Sequence, residues 1–474
     1  MYVHILHDSL LRSLTGAYVA RVTIYMLPDL ALLGIFDFYL DEAAIQAWHN
    51  LVHVCRKWRI VVFGSPRRLN LRLCCKARTP VREMLDVWPP LPIVMKVYSV
   101  DTWDDGNIIA ALELNDRICE LVIFDIPSSE TEKALTTLQR PFPALTFLQL
   151  GFWLQTSPVF PASFLGGSAP GLRSLSLDRI SFPGLPNLLL TATHLVHLHL
   201  EEIPYSGYIS ADEMVTALSV LTRLESLYIG FESPRSRPNW KIQPPLPSTR
   251  TLLPALTRLR FNGVTEYLED LLVRIDAPLL DNLETIFFHQ LVFDSPQLIQ
   301  FISRTPKFKT NNEARVEFSC FDVTVTLPHP FDGAFKLGIE SSRLDRQLSS
   351  VVRVCSSSFI QALISTVEHL YIRNNFWRPD WQDVIENRRW LELFHPFTAV
   401  KNLYISSEFA SRVVPALKEL IGERVTEVLP ALQTLFLEEP LSSEPVQETV
   451  EQFVVARQLA GHPISVSRWK FEEN

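Results

Sequence analysis

One short pattern of apolar residues recurs along most of the chain and restricts the folds open to it. The pattern has the form L-x-x-L-x-L and, apart from one longer gap, returns at intervals of 23 to 33 residues. Its copies are ALTFLQL (144–150), GLRSLSL (171–177), HLVHLHL (194–200), RLESLYI (223–229), ALTRLRF (255–261), NLETIFF (282–288), VEHLYI (367–372), VKNLYI (400–405) and ALQTLFL (431–437), with ICELVIF (118–124) as an earlier candidate. Alternation in L-x-L predicts short strands with one buried face.

Segments with helical spacing lie between these strands, among them SADEMVTALSVL (210–221) and SPQLIQFISRT (295–305). Ser210 and Ser295 are candidate N-caps, and Glu213 completes a capping-box pattern with Ser210. One strand and one helix cannot bury their apolar faces alone, whereas a stack of such units can. The predicted fold class is therefore α/β, an irregular solenoid with a parallel sheet that resembles the leucine-rich-repeat family over residues 118–440. The alternative is an ordinary α/β domain with coincidental strands.

The gap between Ile286 and Leu370 has room for two degenerate units, and ARVEFSCFDVTVTL and FKLGIES are the candidates. Residues 233–254 contain six prolines and are predicted to form an inserted loop, because proline fixes φ and removes a donor. The C-terminal segment 441–474 is predicted as a helix, a Gly-His-Pro turn and a strand that cap the array.

The N-terminal segment LPDLALLGIFDFYLDEAAIQAWHNLVHVCRKWR (27–59) has broad apolar stripes for its length. Helical spacing predicts Leu32, Ile35, Phe36 and Tyr39 on one face. A second helix is predicted from Trp48 to Trp58. A segment this small cannot bury both stripes alone and needs a partner surface.

Three groups of residues in this segment resemble the F-box motif: Leu27-Pro28, Ile35-Phe36 and the run VCRKWR that begins at Val54. The following strings SPRRLNLRL and TPVREMLDVWPPLPIVM are similar to the junction between F-box and repeats in proteins expanded in mushroom-forming fungi. The resemblance divides the chain into an N-terminal extension (1–24), an F-box-like helical domain (25–72), a junction (73–117) and a leucine-rich-repeat-like domain (118–474).

This resemblance implies a substrate-recognition adaptor of a cullin-type ubiquitin ligase, docked on a Skp-family adaptor and through it on a cullin. Catalysis would then occur on other subunits, so the chain itself is predicted not to be an enzyme and to need no cofactor. The implied adaptor-binding residues are Leu27, Pro28, Leu32, Ile35, Phe36, Val54, Cys55 and Trp58. The alternative is a protein-binding scaffold whose N-terminal helices act only as a cap.

The residue that follows the central apolar position of each repeat is expected to face the open side of the sheet. Aromatic residues and arginine dominate these positions, and both are enriched in the centres of protein interfaces. The predicted substrate-binding residues are Tyr228, Arg258, Arg260, Phe287, Tyr371, Tyr404 and Phe436. The alternative is that these side chains pack between repeats and are covered by the protein's own loops.

Composition excludes several other classes of function. The formal net charge of −8 argues against a nucleic-acid partner. Six scattered cysteines without a CxxC pair indicate a reducing compartment, which is predicted to be the cytoplasm or the nucleus. The sequence has no apolar run long enough to predict a membrane span. Phosphate-binding, nucleophile-elbow and H-E-x-x-H zinc motifs are absent from the sequence. His197 and His199 could begin a zinc site, but without an evident third ligand they are interpreted as surface histidines, and the acidic pair Glu201-Glu202 is interpreted as solvated. An unrecognised enzyme site in the proline-rich or tryptophan-rich loops remains the third hypothesis.

Overall fold

The computed structural model describes residues 26–42, 48–64, 71–74, 81–87, 90–97, 107–125, 128–153, 157–234, 250–288, 295–308, 312–328, 333–374, 385–420, 422–439 and 444–470. The predicted extension 1–24 and most of the proline-rich segment 233–254 lie outside these ranges.

A sheet of sixteen strands forms the centre of the molecule. Its strands are β1 (Leu71–Cys74), β2 (Ile93–Val97), β3 (Ile118–Phe124), β4 (Phe147–Gly151), β5 (Ser174–Asp178), β6 (His197–Ile203), β7 (Ser226–Phe231), β9 (Arg258–Gly263), β11 (Asn282–Phe287), β12 (Glu313–Phe318), β13 (Asp322–Pro328), β14 (Ala334–Glu340), β15 (His369–Asn374), β16 (Asn402–Ile405), β17 (Thr434–Glu438) and β18 (Ser465–Trp469). Two short strands, β8 (Thr251–Leu252) and β10 (Ile275–Asp276), pair separately. The sheet begins at β1, so its first two strands precede the predicted start of the repeats at residue 118.

Three helices precede the sheet, and others connect many of its strands. They are α1 (Asp29–Glu42), α2 (Trp48–Val54), α3 (Arg56–Gly64), α4 (Val81–Val87), α5 (Asn107–Leu112), α6 (Ser128–Thr137), α7 (Leu185–Thr191), α8 (Ala211–Leu218), α9 (Thr265–Leu272), α10 (Pro296–Arg304), α11 (Leu344–Ser356), α12 (Ser358–Ile364), α13 (Asn387–Phe394), α14 (Ser407–Lys418) and α15 (Glu444–Leu459). The helix, turn and strand predicted for the C-terminus are present as α15, a turn at Gly461 and β18.

Strand register places equivalent leucines side by side. Leu148 pairs with Leu175, and Leu175 pairs with Leu198, in parallel neighbours. These side chains are buried and join the apolar faces of the helices in one continuous core. The structure therefore confirms a mixed α/β fold with a large, mostly parallel sheet.

The middle of the sheet departs from the predicted two units. Three strands fill the gap, in the spatial order β11-β14-β13-β12-β15. β14 is parallel to β11 and β12 is parallel to β15, while β13 runs antiparallel to both of its neighbours. The segment ARVEFSCFDVTVTL is a hairpin of two strands, because the turn at Ser319 to Asp322 reverses the chain.

The helix caps were predicted with mixed success. Ser210 caps α8 and Glu213 completes the capping box, as expected. The prediction that Ser295 caps α10 is wrong, since its side chain makes no capping hydrogen bond. The two carboxylate oxygens of Glu269 accept hydrogen bonds from the backbone N–H groups of Gln297 and Leu298 at 2.7 and 2.8 Å. A carboxylate from the neighbouring helix therefore satisfies the first turn of α10.

The N-terminal helices share the core of the sheet rather than forming a separate one. Inside them the rings of Phe36 and Trp58 lie 4.8 Å apart. The Nζ atom of Lys57 donates to the carbonyl oxygen of Leu27 at 2.8 Å and so ties the start of α1 to α3. The predicted single second helix is interrupted at Cys55, which separates α2 from α3.

Candidate functional sites

The predicted adaptor-binding residues divide into a buried and an accessible set. Leu32, Phe36 and Trp58 are buried inside the helical segment, so their placement on a docking surface is wrong. Pro28, Ile35 and Val54 are exposed, and Leu27 and Cys55 are half-buried. The predicted common face of Leu32, Ile35, Phe36 and Tyr39 is likewise wrong, because Ile35 and Tyr39 point to solvent.

The accessible apolar side chains of α1 to α3 form a group that we call the N-terminal patch. Its members are Leu30, Ile35, Phe38, Tyr39, Val54 and Ile60. The side-chain amide of Asn50 donates to the hydroxyl of Tyr39 at 3.3 Å and joins α2 to α1 on this side. Exposed apolar side chains that adjoin one another are candidates for contact with another molecule.

On the sheet, the alternate side chains that point away from the core define the open face. One row crosses this face, and strand register identifies its members. From β4 to β17 the row is Gln149, Ser176, His199, Tyr228, Arg260, Glu284, Lys336, Thr326, Arg315, Tyr371, Tyr404 and Phe436. Five of the seven predicted substrate-binding residues lie in this row, and Arg258 lies beside it, two residues before Arg260 on β9.

Phe287 does not belong to the open face, and its prediction as a binding residue is wrong. Leu283 of β11 pairs with Leu259, so the central apolar position is Leu283 rather than Ile286. Phe287 then shares the inward face with Leu283 and is fully buried. Glu284 occupies the open-face position, because side chains alternate between the faces and an odd shift along the strand exchanges them.

At the C-terminal end of the row, three rings stack in what we call the aromatic ladder: Tyr371, Tyr404 and Phe436. Their centroids are 4.2 and 4.3 Å apart, and the ring planes are inclined by 11° and 8°. Trp469 of the last strand stands edge-on to Tyr404 at 5.5 Å. Because the ring faces are used in stacking, the ladder presents ring edges to a partner.

Two arginines border the aromatic ladder. The guanidinium carbon of Arg373 lies 4.7 Å from the centroid of Tyr371 and 5.4 Å from that of Trp469. Arg315 approaches Tyr371 at 5.8 Å and pairs with Glu313. Burial, followed by the charge of Glu313, raises the pKa of Tyr371 to about 12, so its phenol keeps its proton at neutral pH. Cations held against aromatic rings are rigid polar contacts beside an apolar surface.

Ion pairs dominate the middle of the row. Arg260 lies over the ring of Tyr228 at 4.8 Å and pairs with Glu284 at 3.4 Å. His199 contacts the same ring at 4.4 Å and the carboxylate of Glu201 at 2.9 Å. These neighbours bury Tyr228, and burial raises the pKa of its phenol. The ring of Tyr228 therefore packs under the guanidinium group of Arg260 and is not accessible to a partner.

Among the residues that the structure describes, no group of three or more His, Cys, Asp or Glu residues is placed to hold a metal ion. Among these same residues, no helix combines the length and apolar character that crossing a bilayer requires. The described cysteines are free thiols, and burial raises the pKa of Cys119 to about 11. A thiol with that pKa is a poor nucleophile at neutral pH.

No family model matches the chain. No curated protein matches it either. Among solved structures it is similar to the leucine-rich repeat-containing protein LegL7 from Legionella pneumophila, at 13% identity over 72% of this chain and 98% of that chain, with a TM-score of 0.30. What this chain binds must therefore be inferred from its own side chains.

Proposed function

We propose that the protein is a non-enzymatic scaffold of stacked leucine-rich-repeat-like units that captures another protein on the open face of its sheet. The aromatic ladder is the observation that carries this proposal. Its three rings lie in register on neighbouring strands and are half-exposed, with Arg315 and Arg373 beside them. Aromatic residues and arginine concentrated in one rigid patch are typical of interface centres, where most of the binding free energy arises.

Replacing Tyr371 and Tyr404 with alanine together with Arg260→Glu is expected to abolish partner capture without unfolding. The first two changes remove stacked, half-exposed rings, and the third reverses an exposed charge. The measurement is a quantitative comparison of proteins retained by wild type and by the triple variant. The control combines Leu190→Ala and Arg388→Glu, which alter exposed residues of helices α7 and α13. Retention of the same proteins by a folded triple variant would contradict the proposal.

We further propose that the N-terminal patch docks the chain on a Skp-family adaptor of a cullin-type ubiquitin ligase, so that the captured protein is the substrate. Two features support this finer role: the F-box-like residues noted above, and the exposure of Ile35 and Val54 on α1 and α2. The competing proposal is that α1 to α3 only cap the sheet, which is favoured by the core that they share with it.

Docking is best tested with the full chain, because its N-terminal helices share the core of the sheet. Ile35→Asp and Val54→Asp place a charge at exposed positions and are each expected to weaken binding of a purified Skp-family adaptor by at least about tenfold. Phe36 and Trp58 are unsuitable targets, since their rings pack on each other and their loss would disturb folding. Leu459→Asp, an exposed change at the opposite end, is the control. A folded wild-type chain that does not bind the adaptor would leave only the capping role.

A further inference from the structure

The last strand of the sheet, β18, has an open edge. It pairs in parallel with β17 on one side, and in the part of the chain that the structure describes no strand pairs with its other side. The backbone N–H of Ser465 donates to the carbonyl oxygen of Gln433 at 2.8 Å, on the side of β17. Because backbone groups alternate along a strand, those of Val466 and Arg468 point to the open edge. Such a row of backbone groups is a template for a further strand.

The apolar core reaches this edge without being fully covered there. Register places Val466 beside Leu435 of β17, and Leu435 is fully buried whereas Val466 is 42% exposed. Charged side chains often guard an open edge. Here Arg468 and Lys470 both reach back to the carboxylate of Glu439, at 3.3 and 3.8 Å. Their charges are therefore drawn away from the open edge, which stays accessible to another strand.

The sequence of β18 is complementary to itself when two copies run antiparallel. With Val466 opposite Val466 of the second copy, Ser465 lies opposite Ser467, and Arg468 lies opposite Ile464. The edge-directed backbone groups of the two valines then face each other, as a hydrogen-bonded pair of an antiparallel ladder requires. In this register the cations of the two copies lie at opposite ends of the paired strands, whereas a register centred on Arg468 would oppose like charges.

We propose that β18 pairs with β18 of a second copy of this chain, antiparallel and around a twofold axis normal to the sheet. The two sheets then join into one, with both open faces on the same side. The two Phe436 rings lie three strand spacings apart, roughly 14 Å. Pairing does not depend on what the open face captures. Because β18 has only five residues, the dimer is expected to be weak, with a dissociation constant on the order of 10 to 100 µM.

The test is sedimentation velocity of the full chain over a concentration range up to about 500 µM. Val466→Lys and Val466→Glu each place like charges opposite one another and are expected to weaken self-association by at least about tenfold. An equimolar mixture of the two variants opposes unlike charges and is expected to restore the affinity to within about threefold of wild type. The control is Leu190→Lys on α7, where the side chain is 41% exposed, and it is expected to leave self-association unchanged.

Val466→Pro tests the backbone separately from the side chain. It removes an N–H group that points to the open edge and keeps the hydrogen bonds to β17, so the fold is expected to persist while self-association is lost. The Tyr371 and Tyr404 substitutions are expected to leave self-association intact, which separates this proposal from capture on the open face.

A wild-type chain that stays monomeric over the whole range would overturn the proposal. A mixture of Val466→Lys and Val466→Glu that associates no better than either variant would also overturn it, since the copies would then meet through another surface. Species that keep growing beyond a dimer would instead show head-to-tail pairing of β18 with β1, the strand at the other edge of the sheet.

Discussion

Replacing Arg457 with alanine is expected to unfold the last unit, α15 and β18, at a cost of roughly 2 to 4 kcal/mol. Arg457 is almost completely buried in α15. Its guanidinium donates to the carbonyl oxygens of Val425, Leu429 and Leu432 at 2.8, 3.5 and 3.3 Å. Truncation would leave these carbonyl groups without their donor and open a cavity beneath the helix.

Burial lowers the pKa of Arg457. Burying this cation costs desolvation free energy, and its hydrogen bonds hold the loop before β17 in place. Arg457→Leu separates the two contributions, because it keeps an apolar stem but removes all donors, and we expect it to recover only part of the loss.

Hydrogen exchange locates the effect. Amides of residues 444–469 are expected to lose protection in Arg457→Ala, while those of β5 and β6 stay protected, because stacked units contact mainly their neighbours. Arg223→Ala, at an exposed position, is the control. Equal protection across the chain in wild type and Arg457→Ala would show that the buried guanidinium contributes nothing to this end of the sheet.

Asp178→Asn is expected to stabilise the fold above about pH 6, by at most roughly 3 kcal/mol. The pKa of Asp178 is raised from 3.8 to about 6 in the folded chain, first by burial. Folding therefore favours the protonated form of Asp178. The stabilisation that this form provides is fully present at pH values below the pKa of Asp178 in the unfolded chain. It is lost as pH rises through the folded pKa, so the ionised group destabilises the fold at neutral pH. An amide oxygen still accepts the indole hydrogen bond of Trp153.

Urea unfolding at several pH values tests the sign as well as the size of this effect. The difference between Asp178→Asn and wild type is expected to be small near pH 4, to grow up to about pH 6 and then to level off. Glu225→Gln controls for the general loss of one negative charge. A variant less stable than wild type at pH 8 would contradict the prediction.

Periodicity predicted the strands well where only one face is apolar. In GLRSLSL, serines alternate with leucines, and Leu175 and Leu177 are buried as expected. In NLETIFF, Ile286, Phe287 and Phe288 are consecutive apolar residues, so the pattern fits two registers that differ by an odd number of positions. Pairing of Leu283 with Leu259 selects one of them, and that long-range contact is absent from the local pattern.

The same limit explains the errors in α1. Its sequence DLALLGIFDFYLDE is apolar on nearly every side, so spacing alone does not indicate which residues turn inward. Packing against α3 determines which residues turn inward, through the contact of Phe36 with Trp58.

The contact between Trp153 and Asp178 was missed for a related reason. Trp153 and Asp178 are 25 residues apart, and each follows the apolar core of its own strand. The available signal was that both stand at the carboxyl end of neighbouring parallel strands, where loop side chains converge.

The strands β12 to β14 lie in the sheet in the reverse of their chain order, and this has a consequence for how the chain folds. A regular stack can grow by adding each new strand to the one just formed, but β12 is separated from β11 by two strands that are synthesised after it. Its first available neighbour is β13, across a short turn, and β14 then follows antiparallel to β13. This meander has low contact order and is expected to fold as a local nucleus that later joins two independently growing halves. Circular permutants cut within its turns should consequently fold far more slowly than those cut between parallel units.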